Sequence, residues 1–268
     1  MRRPALALAI LCVATGCAVN LSEARPARVL RGGEFQLAEI NNVVAPLGAI
    51  DDTITTAEPL VQGARAKTLT QAQARDLAGR ATAISLAGPG YGAHFDVSLG
   101  LGYRIDSSFR FGNGIYALSL RRGIDWDTWH AALGVRGGYN SGTSVIPYLN
   151  DLNSYVEITD TTRWDLQAFA QLGREFREWG RLWLGVKAMR SLFTLTVDAS
   201  ELGLGREVID DALDYLGGNI GFALGYRYVY FVAELSVLRA SGHIAAFGAE
   251  RSLEGTTVAP SWGILGHW

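Results

Sequence analysis

From Tyr91 to Ile105 the chain alternates without a break, with Tyr91, Ala93, Phe95, Val97, Leu99, Leu101, Tyr103 and Ile105 set against Gly92, His94, Asp96, Ser98, Gly100, Gly102 and Arg104. A period of two sends successive side chains to opposite faces, so the run predicts a strand with one apolar and one polar face. The same period returns at Trp129–Tyr139, Trp164–Leu172 and Ile220–Tyr228. Shorter stretches fit around Phe109–Phe111, Tyr116–Arg121, Leu182–Ala188 and Phe231–Val237. With a first strand near Glu34–Val44 and a last near Pro260–Trp268, about ten strands are expected, an even number suited to an up-and-down barrel.

Short turns are expected at Asp106–Ser107, Asp125–Asp127, Glu175–Arg181 and Arg227–Tyr230, alternating with long connections near 45–90, 140–162, 197–217 and 241–257. The short link near Gly112–Gly114 breaks that rule. Two long connections read as helical. Thr70-Gln71-Ala72-Gln73 forms a capping box before Ala74, Leu77, Ala78 and Ala81, and Glu207–Leu216 places Val208, Ile209, Ala212, Leu213 and Leu216 on one helical face.

Alternation alone does not say which face is outside, since a soluble lipocalin-like barrel has the same period with its apolar face inward. Three features favour the apolar face outward. Aromatics stand at both ends of it, giving a membrane girdle of Tyr91, Tyr103, Trp129, Tyr139, Trp164 and Trp268. The other face carries charges interleaved with glycine, the lumen-facing candidates being His94, Asp96, Arg104, Arg110, Arg121, Arg136, Asp165, Lys187 and Glu234. The chain holds only Lys67 and Lys187 to solvate an outer face. Finally, Trp262, Ile264 and the terminal Trp268 fall on one face, which resembles the C-terminal signal of bacterial outer-membrane β-barrel proteins. The resemblance implies an all-β, transmembrane antiparallel up-and-down barrel of about ten strands with two short helices in long loops. It also implies outer-membrane lipid and the barrel-assembly machinery as partners, and periplasmic N- and C-termini.

Met1-Arg2-Arg3 followed by the apolar run Ala5–Thr15 has the form of a signal peptide, too short to span a bilayer. Ala14-Thr15-Gly16-Cys17 resembles the lipobox of bacterial lipoproteins, implying a signal peptide over 1–16, lipidation of Cys17 and use of the lipoprotein-export machinery. Residues 17–32 then read as an N-terminal tether and 33–268 as the barrel. Cys12 and Cys17 are the only cysteines, so the mature chain has no internal disulfide and no thiol-based metal site.

A net charge of -2 with scattered basic residues excludes a nucleic-acid footprint. The 49% hydrophobic composition with 32 glycines fits alternating strands. No metal, cofactor or catalytic set is expected. His94 with Asp165 is distantly similar to the Asp/His groups of outer-membrane proteases, but no motif of that family accompanies them. Glu207, Asp210, Asp211 and Asp214 lack the spacing of a calcium loop. The expected function is therefore a structural or surface-binding barrel with a narrow, charged, closed lumen, for which a small ligand or surface partner is unspecified. A small porin-like pore or transporter and an enzyme at the extracellular rim are the alternatives.

Overall fold

Alternating sequences satisfy their backbone polar groups only by pairing sideways, and here the pairing closes on itself. The computed structural model describes residues 20–48, 53, 56–142, 152–177 and 179–268. Its strands are β1 (Phe35–Gly48), β2 (Gly90–Gly102), β3 (Ile105–Gly112), β4 (Ile115–Trp126), β5 (Trp129–Gly142), β6 (Glu157–Phe176), β7 (Gly180–Asp198), β8 (Arg206–Tyr226), β9 (Val229–Ala246), β10 (Ala249–Ser252) and β11 (Gly255–His267). Each strand from β1 to β9 pairs antiparallel with the next. β9 also pairs β11, and β11 pairs β1. β10 meets only the far end of β9. The closed ring is thus ten strands, with β10 a short arm outside it.

Following paired residues round the ring from Phe35 returns to β1 at Leu47, so the register advances from position 35 to position 47. A stagger of 12 residues over ten strands, at 3.3 Å per residue and 4.8 Å per strand, tilts the strands by about 40°. The ends of the barrel differ. At one end the turns are short, and Phe35 and Trp268 exchange backbone hydrogen bonds of 2.7 and 2.8 Å. At the other, β6 to β9 run 18–21 residues, against 8–13 in β2 to β4, and rise as a tall wall.

The outward face is apolar. Leu118, Leu133, Val186 and Leu216 are each more than 60% exposed. At the short-turn end, outward Trp126, Trp129, Trp179, Tyr226 and Trp268 mark a rim. Of the expected girdle, Trp129, Trp164 and Trp268 lie exposed on the outer surface, Tyr139 packs on Trp164 at 4.9 Å, and Tyr91 is half-buried with its hydroxyl on Asn41. Tyr103 is instead almost fully exposed in the β2–β3 turn.

Two helices, α1 (Ala57–Arg65) and α2 (Gln71–Ala87), both lie in the β1–β2 connection. The Thr70 capping box forms as expected, with the Thr70 N–H donating to Gln73 and the Gln73 N–H to the Thr70 hydroxyl. α2 buries Leu77, Ala78, Ala81 and Ala83 against inward Phe193, Leu195, Val197, Leu213 and Leu238 of the tall wall. The long-loop half of the barrel is therefore filled by an apolar core.

The second expected helix, Glu207–Leu216, is strand. Ile209 and Leu213, four apart, share a face in either conformation, but Tyr215 two residues on is buried with them while Val208, Asp210, Asp214 and Leu216 face out. Pairing with β7 along its whole length, and with β9 over its second half, fixes the extended form. Consequently the expected long connection at 197–217 shrinks to 199–205.

Leu77→Ala should lower stability by about 2–4 kcal/mol, because it empties a fully enclosed site. Leu216→Ala, on the open outer face, should cost far less; equilibrium denaturant unfolding compares the two.

Candidate functional site in the barrel lumen

Below the helices the lumen is polar, and a segment of the chain's own N-terminus fills it. Residues 20–30 thread the barrel from beside His94 to the short-turn mouth, with Leu21, Ser22, Glu23, Ala24, Arg25, Ala27, Val29 and Leu30 buried. Of the expected tether over 17–32, residues 20–30 lie within the barrel, and Arg31 and Gly32 are exposed where the chain leads into β1. Its charges explain why: Glu23 and Arg25 complement the wall.

This plug has no strand to pair with, so its backbone is met by wall side chains. The Glu23 and Ala24 N–H groups donate to the Glu234 carboxylate at 2.9 and 2.8 Å, and the Leu30 N–H donates to Asp106 at 3.0 Å. The Ser22 carbonyl accepts from Arg110 at 2.8 Å and the Pro26 carbonyl from Arg121 at 2.9 Å. Lys187 donates to the Leu21 carbonyl. Together these contacts tie the plug to β3, β4, β7 and β9.

The side chains form ion pairs around it. Arg136 meets the Glu23 carboxylate through two bonds of 2.8 Å, with Gln167 donating at 2.7 Å. Asp106 accepts from Arg121 at 3.0 and 2.7 Å and from Arg25 at 3.1 Å. Arg110 pairs Asp96 at 3.0 Å and takes Asn20 at 3.0 Å. Glu234 accepts from Trp183 at 3.2 Å and Asn219 at 2.9 Å and lies 3.6 Å from Lys187. Trp183 reaches this position because Gly221 leaves room; a Cβ there would sit 2.3 Å from the indole. The wall supplies four cations and three carboxylates, and the plug adds one of each.

At the short-turn mouth the segment turns into β1. Arg31 N–H and the Arg28 guanidinium each donate to Glu34 at 2.8 Å. Partial burial alone would raise the Glu34 carboxyl, but these donors outweigh it and hold it below the usual glutamate range. The Arg31 carbonyl lies so close to Gly100 that a Cβ would stand 1.8 Å from it. A hollow of about 870 Å³ lined by Arg28, His130, Glu175, Arg181 and His267 opens outward from this latch.

The expected lumen residues His94, Asp96, Arg110, Arg121, Arg136, Lys187 and Glu234 are all buried inside the barrel. Asp165 is half-buried and bonded to Arg163 and Ser191, whereas His94 meets Asn20, so the pair is not brought into contact. Arg104 is corrected: Tyr103 and Arg104, with φ of 52° and 59°, form the β2–β3 turn, and Arg104 is exposed. A bulge between Gly100 and Gly102 ends the strand early and carries Asp106 inside β3, in the lumen. The acidic group at 207–214 is spread over β8, where Asp210 takes the Thr194 hydroxyl and Asp214 lies 3.9 Å from Arg190. Among the described residues no cluster of three or more His, Cys, Asp or Glu is placed to hold a metal. Cys17 lies outside the described residues.

Sequence reasoning missed Glu23, Arg25, Asp106 and Trp183. One signal was available: four expected lumen arginines and Lys187 outnumber Asp96, Asp165 and Glu234, so the interior required further acids.

Fold and lumen together define an up-and-down β-barrel closed by its own N-terminal segment. No protein-family model matches the chain, and no curated protein matches it in sequence. Among solved structures it is similar to Neisserial surface protein A, NspA, at 12% identity over 87% of this chain and 98% of that one, with a TM-score of 0.33.

Asp106→Asn removes the carboxylate from two buried guanidinium groups and should weaken plug seating by about 3–5 kcal/mol. Trypsin should then cleave at Arg28 and Arg31 while the strands stay intact. Because Glu34 is held low, its contribution is complete above the usual glutamate range and lost as pH falls through its folded value. Hydrogen exchange at the Arg31 amide should accelerate on acidification below that range, and Glu34→Gln should abolish this dependence.

Proposed function

We propose that the chain spans the bacterial outer membrane as a closed barrel whose long-strand end serves as a surface-binding platform. The observation that carries the reading is the pairing of an apolar outer belt with an occupied lumen. Exposed Leu, Val and Phe on every wall suit hydrocarbon, and the ring leaves no unpaired edge within that belt. A lumen packed with an ion-paired plug and apolar helices supports a closed interior. The tall wall beyond the belt is polar and laced with ion pairs such as Arg206–Asp160 at 3.2 Å, as befits a face in water. Assembly of such a barrel calls on the barrel-insertion machinery and its lipid surroundings.

In planar bilayers the full chain should give no conductance steps, and deletion of residues 20–32 should produce them. Steps from the intact protein would overturn the closed reading in favour of a pore. Fractionation and heat-modifiability on gels address the membrane itself: a protein soluble without detergent would end that part of the proposal.

Acylation of Cys17 is a separate proposal. Only Ala18 and Val19 separate it from Asn20, a span of about 10 Å of extended chain, and Asn20 is buried in the lumen next to Leu21, which packs against the helix core. A seated plug and a lipid in the bilayer therefore compete for the same short stretch. Acyl label lost in Cys17→Ser identifies the modification, and labelled molecules should show a trypsin-sensitive 20–32 segment.

A further inference from the structure

The outer wall is not evenly filled over β4 to β7. At its short-turn half lies a hollow of about 700 Å³, and a second of about 620 Å³ continues it toward the long-strand end, sharing Arg122, Leu133, Ala170 and Val186. The cause is side-chain size. Ala170 pairs with Leu133 and Val186, and Ala168 pairs with Val135 and Ala188. With strands tilted by about 40°, outward Ala131, Ala170, Ala168 and Ala188 come to lie one above another over about 16 Å, between ridges of larger side chains. The two hollows thus form one apolar trough that climbs the wall.

Two arginines close its short-turn end. Arg122 faces outward on β4, paired with Ile105 and Leu133. Arg104 lies beside it, its carbonyl accepting from the Gly123 N–H at 2.8 Å. Both are exposed, both line the hollow, and its lining holds no carboxylate. The acids nearest in sequence are engaged elsewhere, Asp106 inside the barrel with Arg121 and Arg25, and Asp125 with His130. Other outward arginines have partners of their own. Arg190 lies 3.9 Å from Asp214 and Arg239 3.7 Å from Glu254 at the far end of the belt, and Arg174 stacks on Trp129 and Phe176. Arg122 stands four residues above rim Trp126, so the pair sits where headgroups meet hydrocarbon.

Building on the membrane-spanning reading above, we propose that this trough is a binding site for one phospholipid of net negative charge, its phosphate held by Arg104 and Arg122 and one acyl chain laid up the alanine floor. Two adjacent guanidinium groups without a carboxylate suit a phosphate, which accepts several charge-assisted bonds at once. The trough length matches one leaflet, about 15 Å or half of the hydrocarbon layer. Lipid tails are as apolar as leucine, so the trough contributes fit while the arginines select the headgroup. A zwitterionic lipid brings its own cation to the same place and is disfavoured.

The test uses the full chain in detergent, after heat-modifiability has shown that each variant is folded. Phosphatidylglycerol or phosphatidylcholine is titrated in, and bound lipid is counted by native mass spectrometry. The wild type should retain one phosphatidylglycerol in preference to phosphatidylcholine. Arg104→Gln with Arg122→Gln should weaken that binding at least about tenfold. Ala170→Leu, which fills the trough and leaves both charges, should weaken it several-fold, whereas Arg190→Gln should leave it unchanged. Equal retention of the two lipids overturns the proposal, as does binding indifferent to the double variant. Inorganic phosphate that competes as well as the lipid, or an Ala170→Leu variant that binds normally, would leave only a surface anion contact and also overturn it. A chain soluble without detergent would remove the membrane reading itself, a result separate from any of these.

Discussion

A polypeptide segment that crosses the inside of a closed barrel has no free sheet edge to join, so its N–H and C=O groups must be met by side chains. Everything in the lumen follows from that constraint. Glu234, Asp106, Arg110, Arg121 and Lys187 are charged because they serve backbone as well as each other. Neutral side chains of similar length would give weaker bonds and no counter-charge for Glu23 and Arg25. Such an interior is specific more than it is stabilising, since buried ion pairs recover little beyond their desolvation cost while a missing partner leaves a bare charge. The plug is consequently held in one register by several strands at once.

The lumen divides by height. Towards the short turns it is a network of charges around Glu23 and Arg25, and towards the long loops it is an apolar core in which α2 is enclosed by β6 to β9. Leu21 joins the two halves, its side chain packed in the apolar core and its carbonyl bound by Lys187. One half excludes water by packing, and the other excludes it by satisfying polar groups in place. The outer face changes with height as well, from an apolar belt around the short-turn half to exposed charges such as Arg206 and Asp160 on the tall wall.

Much of this architecture is legible in the sequence because period two survives any change of environment. The even strands, the alternation of short and long links and the first helix follow from residue spacing and from Thr70 with Gln73. Glu207–Leu216 defeated the same reasoning because Ile209 and Leu213 satisfy both periods, and only the paired neighbours decide between them. Arg104 defeated it because the two turn residues after Gly102, Tyr103 and Arg104, adopt positive φ without being the asparagine or glycine that commonly announces it. The plug was illegible for a different reason. Its segment has no periodicity, and its fit depends on side chains contributed by strands more than two hundred residues later.

The ring closes where the first strand meets the last, with Phe35 bonded to Trp268. The plug immediately precedes β1 in the chain, yet it is encircled by strands made long after it. Assembly therefore has a topological order: the segment must already lie along the inner wall when the β1–β11 seam zips, because afterwards the helices above and the Arg28–Glu34 latch below leave only a narrow way in. The charges that line the wall act at that moment as a template, holding the earliest part of the polypeptide in wait for its latest.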